Sequence, residues 1–343
     1  MNQFQFEQEN ERQFQRNPWQ QEEMRLDRKH FSKIAFGLLI YSILGGGLQY
    51  LAAGVIWTSG WDYTPYRSTL NWILILVCMY LIAAPLTAAY FQSVPKFGQV
   101  RNERWELRAW LVVFFIGNAM AYFGNMIGNI VTSVSGSVSA DYENLVDMIF
   151  QGNLFFTFLT VVIGAPIVEE LLFRKFLIDR TIGYGEKISV LLSGILFGVM
   201  HGNFQQFFYA FALGCLFGYI YCKTGKIRNT ILFHMWINFS GSILVPLMSR
   251  PVMNVLEDAG TEAEILTQVM AHPMILIAGI AVLVYVAGQF LAAVAGVVLF
   301  FVFKKYICFY PGIRRLPKGT VFRTVIVNPG MLVFFALCLL EFI

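Results

Sequence analysis

The chain has 343 residues, of which 57% are hydrophobic and only 13% charged, against about a quarter charged in ordinary soluble domains. Most of it must therefore be solvated by lipid, which excludes a soluble globular domain, and a net charge of +4 offers no footing for nucleic acid. A spanning helix needs about 20 mostly apolar residues, because backbone amides and carbonyls in hydrocarbon are satisfied only within their own segment, so the length accommodates roughly nine spans plus tails.

In chain order, residues 1–30 are rich in Gln, Asn, Glu and Arg with no apolar core. This composition predicts a disordered cytoplasmic N-terminal tail rather than a signal peptide; solvation is the expected state of Phe4, Phe6, Phe14 and Trp19, and docking is the alternative. Apolar runs then predict helices over Lys33–Trp57, Trp72–Phe91, Trp110–Val131, Leu154–Ile178, Ile188–His201, Phe204–Tyr221, Ile227–Leu247, Met274–Phe303 and Val325–Ile343. Residues 31–343 thus read as one all-α polytopic membrane domain of about nine transmembrane helices, or eight if the fifth or ninth does not span. Cys78, Cys215, Cys222, Cys308 and Cys338 lie in or beside apolar runs without paired spacing, which argues against a disulfide framework or a cysteine metal site.

Loop charge orients these elements, since Lys and Arg accumulate on the cytoplasmic side. Basic stretches at Arg25–Lys33, Lys96–Arg108, Lys175–Lys187, Lys223–Arg228 and Lys304–Arg323 alternate with loops that are neutral (Asp62, Arg67) or acidic (Asp141, Glu143, Asp147; Glu257, Asp258, Glu262, Glu264). The N-terminus is therefore expected inside and the C-terminus outside. On the third predicted helix Asn118, Asn125 and Asn129 share one face, flanked by Gly117, Gly124 and Gly128. Ordinary helix packing by small and amide residues is the expected role; lining a substrate cavity is the alternative.

Ionisable groups in lipid are costly and tend to face inward and to serve function. Here they gather in three runs: Glu169, Glu170 and Arg174 on the fourth helix, His201 at the end of the fifth, His234 and Asn238 on the seventh. Glu170 and Arg174 are four apart and share a helix face, so they can pair, while Glu169 points about 100° away and stays available. His234 and Asn238 are likewise four apart and converge. Pro166 loosens the helix just before the carboxylates. At ~1.5 Å per residue, Glu169 lies ~16 Å from Arg180, His201 ~21 Å from Lys187 and His234 ~12 Å from Lys226. All three thus fall within or near the inner half of the membrane.

Glu169-Glu170-Leu171-Leu172-Phe173-Arg174 reads EExxxR, Phe197-Gly198-Val199-Met200-His201 reads FxxxH, and His234-Met235-Trp236-Ile237-Asn238 reads HxxxN. In this order, on successive helices, they resemble the motif set of the CAAX protease and bacteriocin-processing family, the Rce1-like or Abi intramembrane endopeptidases. The resemblance covers about residues 153–247. It implies that Glu169 activates water, that His201 orients it or assists proton transfer, that His234 and Asn238 stabilise the oxyanion, and that Glu170, Arg174 and Phe197 are supporting. The family has been described in both metal-dependent and glutamate-dependent terms. A metal-free site is favoured because no HExxH helix is present; zinc on Glu169, His201 and His234 is the alternative. The expected partners are the bilayer and a peptide or the C-terminal region of a membrane-anchored, CAAX-type protein, with prenyl dependence undecided, in a bacterial plasma membrane. Two other classes compete: a non-catalytic scaffold or bacteriocin-immunity protein, against which the intact motifs argue, and a proton-coupled transporter, against which the lack of internal repeats argues.

Overall fold

The computed structural model describes residues 18–61, 66–137, 139–259 and 261–342; Phe4, Phe6, Phe14 and Asp62 of the sequence reading lie outside them. Twelve helices follow in chain order: α1 Pro18–Thr58, α2 Arg67–Gln92, α3 Leu107–Ser135, α4 Ala140–Gln151, α5 Leu154–Tyr184, α6 Glu186–Val199, α7 Phe204–Thr224, α8 Ile227–Glu257, α9 Glu262–Ala271, α10 Pro273–Phe303, α11 Val321–Val325 and α12 Pro329–Leu340. Among the described residues there is no strand beyond an isolated bridge of Gly185 with Pro311.

Seven of these helices (α1, α2, α3, α5, α7, α8 and α10) are long and apolar enough to cross a membrane, so the protein is a polytopic helical membrane protein. The fifth and ninth predicted segments correspond to the shorter helices α6 and α12. α6 has 14 residues and α12 has 12, giving ~21 and ~18 Å of rise against a hydrocarbon core of ~30 Å. Each still reaches the depth of a neighbouring long helix: α6 starts beside the end of α7 at Glu186–Lys223, and Phe342 after α12 accepts from Ser137 just beyond the end of α3.

Residues 18–30 also depart from expectation, because α1 runs through them. The turn around Asp27 is docked: Tyr184 Oη donates to Asp27 Oδ1 at 2.7 Å, Arg314 pairs with it at 2.7 Å, and a ring nitrogen of His30 meets Arg180 O at 2.8 Å. Asp27, Arg28 and His30 are thus bonded to partners far along the chain, while residues 18–23 stay exposed.

The basic stretches meet on one face. Lys96 pairs with Asp179 at 3.3 Å, Arg101 with Glu186 at 3.6 Å, and Lys223 with Glu186 at 2.6 Å. The Lys223 pair fixes the start of α6 beside the end of α7, so these helices form an antiparallel hairpin turning at Met200–Asn203. α3 crosses α7 closely: a Cβ on Gly124 would lie 2.6 Å from Tyr209 Cα, and one on Gly128 2.7 Å from Gln205 O. Small residues permit such approach where dispersion and hydrogen bonding, not water exclusion, drive helix association. Asn118 donates to Phe114 O on its own helix and Asn129 to Asn125, so this face serves packing and local bonding and none of the three bonds to the ionisable cluster. All five cysteines are free.

Three spans share a further feature. Ile75–Ala83 in α2, Phe158–Gly164 in α5 and Ser240–Leu244 in α8 are wound in wide, π-type turns, each followed by a proline at the second position of the next α-helical stretch: Pro85, Pro166 and Pro246. The N–H groups of Ala84, Ala165 and Val245 reach back five residues, to Met79, Thr160 and Ser240. A proline ring clashes with the carbonyl four residues before it, and opening the turn relieves the clash.

Candidate active site

Glu169 and Glu170 sit on the short α-helical stretch Ala165–Glu170, between the wide turns before it and a second wide stretch, Leu171–Ile178. Their fates differ. Glu170 is fully buried, and its Oε2 lies 3.0 Å from Nε of Arg174, which is fully buried too. The guanidinium lies over two rings, 4.8 Å from the centroid of Phe197 and 5.5 Å from that of Phe217, a placement that helps a cation tolerate desolvation. The other oxygen, Oε1, lies 3.1 Å from His234 Nδ1. A carboxylate only accepts, so His234 Nδ1–H donates, and the Glu170–Arg174 pair sets the orientation of that ring.

With Nδ1 engaged, His234 Nε2 faces Glu169, whose Oε2 is 3.6 Å away and whose side chain keeps 25% of its exposure. This separation is too long for a direct hydrogen bond. It leaves Glu169 as the one carboxylate of the cluster that is partly accessible and not locked into an ion pair with arginine. His201 follows the same logic from α6: its Nδ1 meets Phe197 O at 2.8 Å and so donates to it, and Nε2 has no protein partner among the described residues. Phe197 joins the parts, with edge-on contacts to His201 at 4.9 Å, His234 at 5.8 Å and Phe173 at 5.1 Å.

Asn238 is placed differently. Its Nδ2 donates to Val161 O of α5 at 2.8 Å, two turns from Glu169 rather than into the space between Glu169 and His234. The three motifs are therefore brought together, with Asn238 directed at backbone.

Among the described residues, no group of three or more His, Cys, Asp or Glu side chains stands together as a metal-binding set. Glu169, His201 and His234 as placed do not form one. A cleft of about 770 Å³ opens elsewhere, between α3, α7 and α10, lined by Arg104, Arg108, Leu216, Tyr219 and Phe303 among others.

Motif reading missed three tyrosines. Buried Tyr41 of α1 and half-buried Tyr80 of α2 and Tyr209 of α7 lie close enough to Glu169 to interact with its charge. Tyr80 Oη also donates to Thr160 O at 3.4 Å. They belong to no motif, and two precede the matched segment. Pro85 and Pro246 were missed as well, although a proline inside an apolar run is a visible signal.

These features define a polytopic helical membrane protein with a buried carboxylate–histidine cluster. Residues 151–240 match the model of the family described as type II CAAX prenyl endopeptidase Rce1-like. The chain is 24% identical over 206 residues, 58% of its length and 78% of the relative's, to "Putative membrane peptidase YdiL" of Bacillus subtilis. It is also 24% identical over 188 residues, 52% of its length and 75% of the relative's, to "Membrane-embedded CAAX protease MroQ" of Staphylococcus aureus. No solved structure matches significantly. Residues 151–240, about a quarter of the chain, are thus similar to the Rce1-like family.

Proposed function

We propose that this protein is an intramembrane endopeptidase in which Glu169 activates water for hydrolysis of a peptide bond. The observation that carries the reading is the division of labour between adjacent carboxylates: Glu170 is sealed in an ion pair with Arg174, and Glu169 is partly open beside His234 Nε2. Two neighbouring acids in contrasting environments are the usual arrangement for separating a structural from a reactive role.

In this reading a water molecule lies between Glu169 and His201 Nε2. As its oxygen attacks the scissile carbonyl carbon, its proton passes to Glu169. The oxyanion is stabilised by His234 in its doubly protonated form, whose Nδ1–H is held by Glu170 and whose Nε2–H faces the site, where little water competes. Collapse of the tetrahedral intermediate breaks the C–N bond, and Glu169 returns the proton to the leaving nitrogen. The substrate is a peptide or the C-terminal region of a membrane-associated protein, admitted from the basic face, taken as cytoplasmic. A bacterial plasma membrane fits this arrangement.

The test is cleavage by purified protein of a quenched-peptide panel, with and without a farnesyl group, comparing wild type with Glu169→Ala and His234→Ala. Cleavage by wild type, lost in both variants with folding retained, supports the reading. Wild-type protein that cuts nothing, with both variants still functional in cells, overturns it in favour of a scaffold.

A further inference from the structure

We propose that the cleft between α3, α7 and α10 binds one anionic phospholipid of the leaflet on the basic face, with its phosphate at Arg104, Arg108 and Lys304 and an acyl chain running down toward Met120. Such a site would serve a protease and a scaffold alike. The cleft measures about 770 Å³, within the range of about 300–1,000 Å³ typical of small-molecule sites. None of Glu169, Glu170, Arg174, His201, His234 or Asn238 lines it. α7 is the partition: Leu216 faces the cleft, and the next residue, Phe217, lies under the guanidinium of Arg174 at 5.5 Å.

The depth of the cleft fits one leaflet. Its α3 wall runs from Arg108 to Met120, a rise of ~18 Å against ~15 Å for half of the hydrocarbon core. Gly296 of α10 lies against Phe115 O of α3 with no room for a Cβ, so these helices touch at that level. Phe300 and Phe303, one and two turns nearer the basic face, line the opening, and Val113, Ile116 and Leu216 make the walls apolar. The mouth carries charge. Arg104, Arg108 and Lys304 are exposed and form no ion pair among the described residues, whereas Lys223 beside them is paired with Glu186 at 2.6 Å and Glu103 with Arg101 at 3.6 Å. Against these three unpaired cations stands one unpaired rim carboxylate, Glu106. The loop that begins at Lys304 is tied to the head of α6, because Tyr310 N–H donates to Glu186 Oε2 at 3.0 Å and Glu186 N–H to Tyr310 O at 3.1 Å. A cationic rim over an apolar slot one leaflet deep matches an anionic headgroup with a chain attached; a free phosphate or a neutral lipid would use only one of the two parts.

The experiment titrates the full chain in detergent with dioleoylphosphatidylglycerol or dioleoylphosphatidylcholine, counts bound lipid by native mass spectrometry and follows the thermal unfolding midpoint. One phosphatidylglycerol is expected to bind saturably and to raise the midpoint, with phosphatidylcholine at least about tenfold weaker. Each cation near an anionic headgroup is worth about fivefold in affinity, so Arg104→Gln, Arg108→Gln and Lys304→Gln combined should weaken phosphatidylglycerol binding by about a hundredfold. Arg108→Gln alone, expected to weaken it about fivefold, gives the same reading if the triple variant does not fold. Equal binding of the two lipids, or phosphatidylglycerol held as tightly by the variants as by wild type, overturns the proposal and makes the cleft an unselective lipid-facing groove. Glycerol 3-phosphate carries the anion without chains and is expected to leave the midpoint unmoved. A rise equal to that given by the lipid would assign the site to free phosphate esters and refute the lipid.

Discussion

Replacing Arg174 with methionine tests the most consequential interaction of the site. Both partners of the Glu170–Arg174 pair are fully buried and their atoms are 3.0 Å apart; at an effective dielectric constant near 20, their attraction is about 5 kcal/mol. Desolvation offsets much of that, but removing one partner strands the other charge, so Arg174→Met should destabilise the protein by about 3–5 kcal/mol. Adding Glu170→Leu removes the stranded carboxylate and leaves only His234 Nδ1–H without its acceptor, a loss of about 1–3 kcal/mol. The double variant should therefore be more stable than Arg174→Met and less stable than wild type. Equilibrium unfolding in mixed micelles measures all three. An Arg174→Met variant within about 1 kcal/mol of wild type, or a double variant less stable than the single one, would refute the buried-pair reasoning.

The two carboxylates should separate by assay: Glu169→Gln is expected to abolish cleavage with stability changed by less than about 1 kcal/mol, whereas Glu170→Gln should cost about 3 kcal/mol and lose activity through unfolding. Comparable stability losses in both would contradict their different burial. At the α3–α7 crossing, Gly128→Val should cost at least about 1–3 kcal/mol by overpacking, and the exposed Asn129→Leu should stay within about 0.5 kcal/mol; unfolding midpoints of the pair decide the point. Asp27→Ala removes the acceptor of Tyr184 and the partner of Arg314, so amide exchange over residues 18–33 should accelerate at a cost of about 1–3 kcal/mol. Exchange unchanged there would mean that the docking seen at Asp27 does not hold the helix.

How much of this was legible in the sequence depends on the range of each interaction. Apolar runs located every long span, because the bilayer sets their length and internal backbone bonding sets their form. Loop charge grouped stretches that the structure joins through Lys96–Asp179, Arg101–Glu186 and Arg314–Asp27. Composition failed at residues 18–30, where Asp27 and His30 are satisfied by Tyr184, Arg314 and Arg180. No local pattern carries partners at that separation.

At the site, what lay within one motif could be read and what lay between motifs could not. Glu170 and Arg174 pair, and His201 bonds the carbonyl of Phe197, because four residues of helix bring these groups together. His234 and Asn238 obey the same spacing yet serve different partners, Glu170 and Val161 O. Both partners lie on the neighbouring helix, whose wide turns around Pro166 no spacing within α8 foretells. Three prolines in three apolar runs are the sequence's trace of that irregularity.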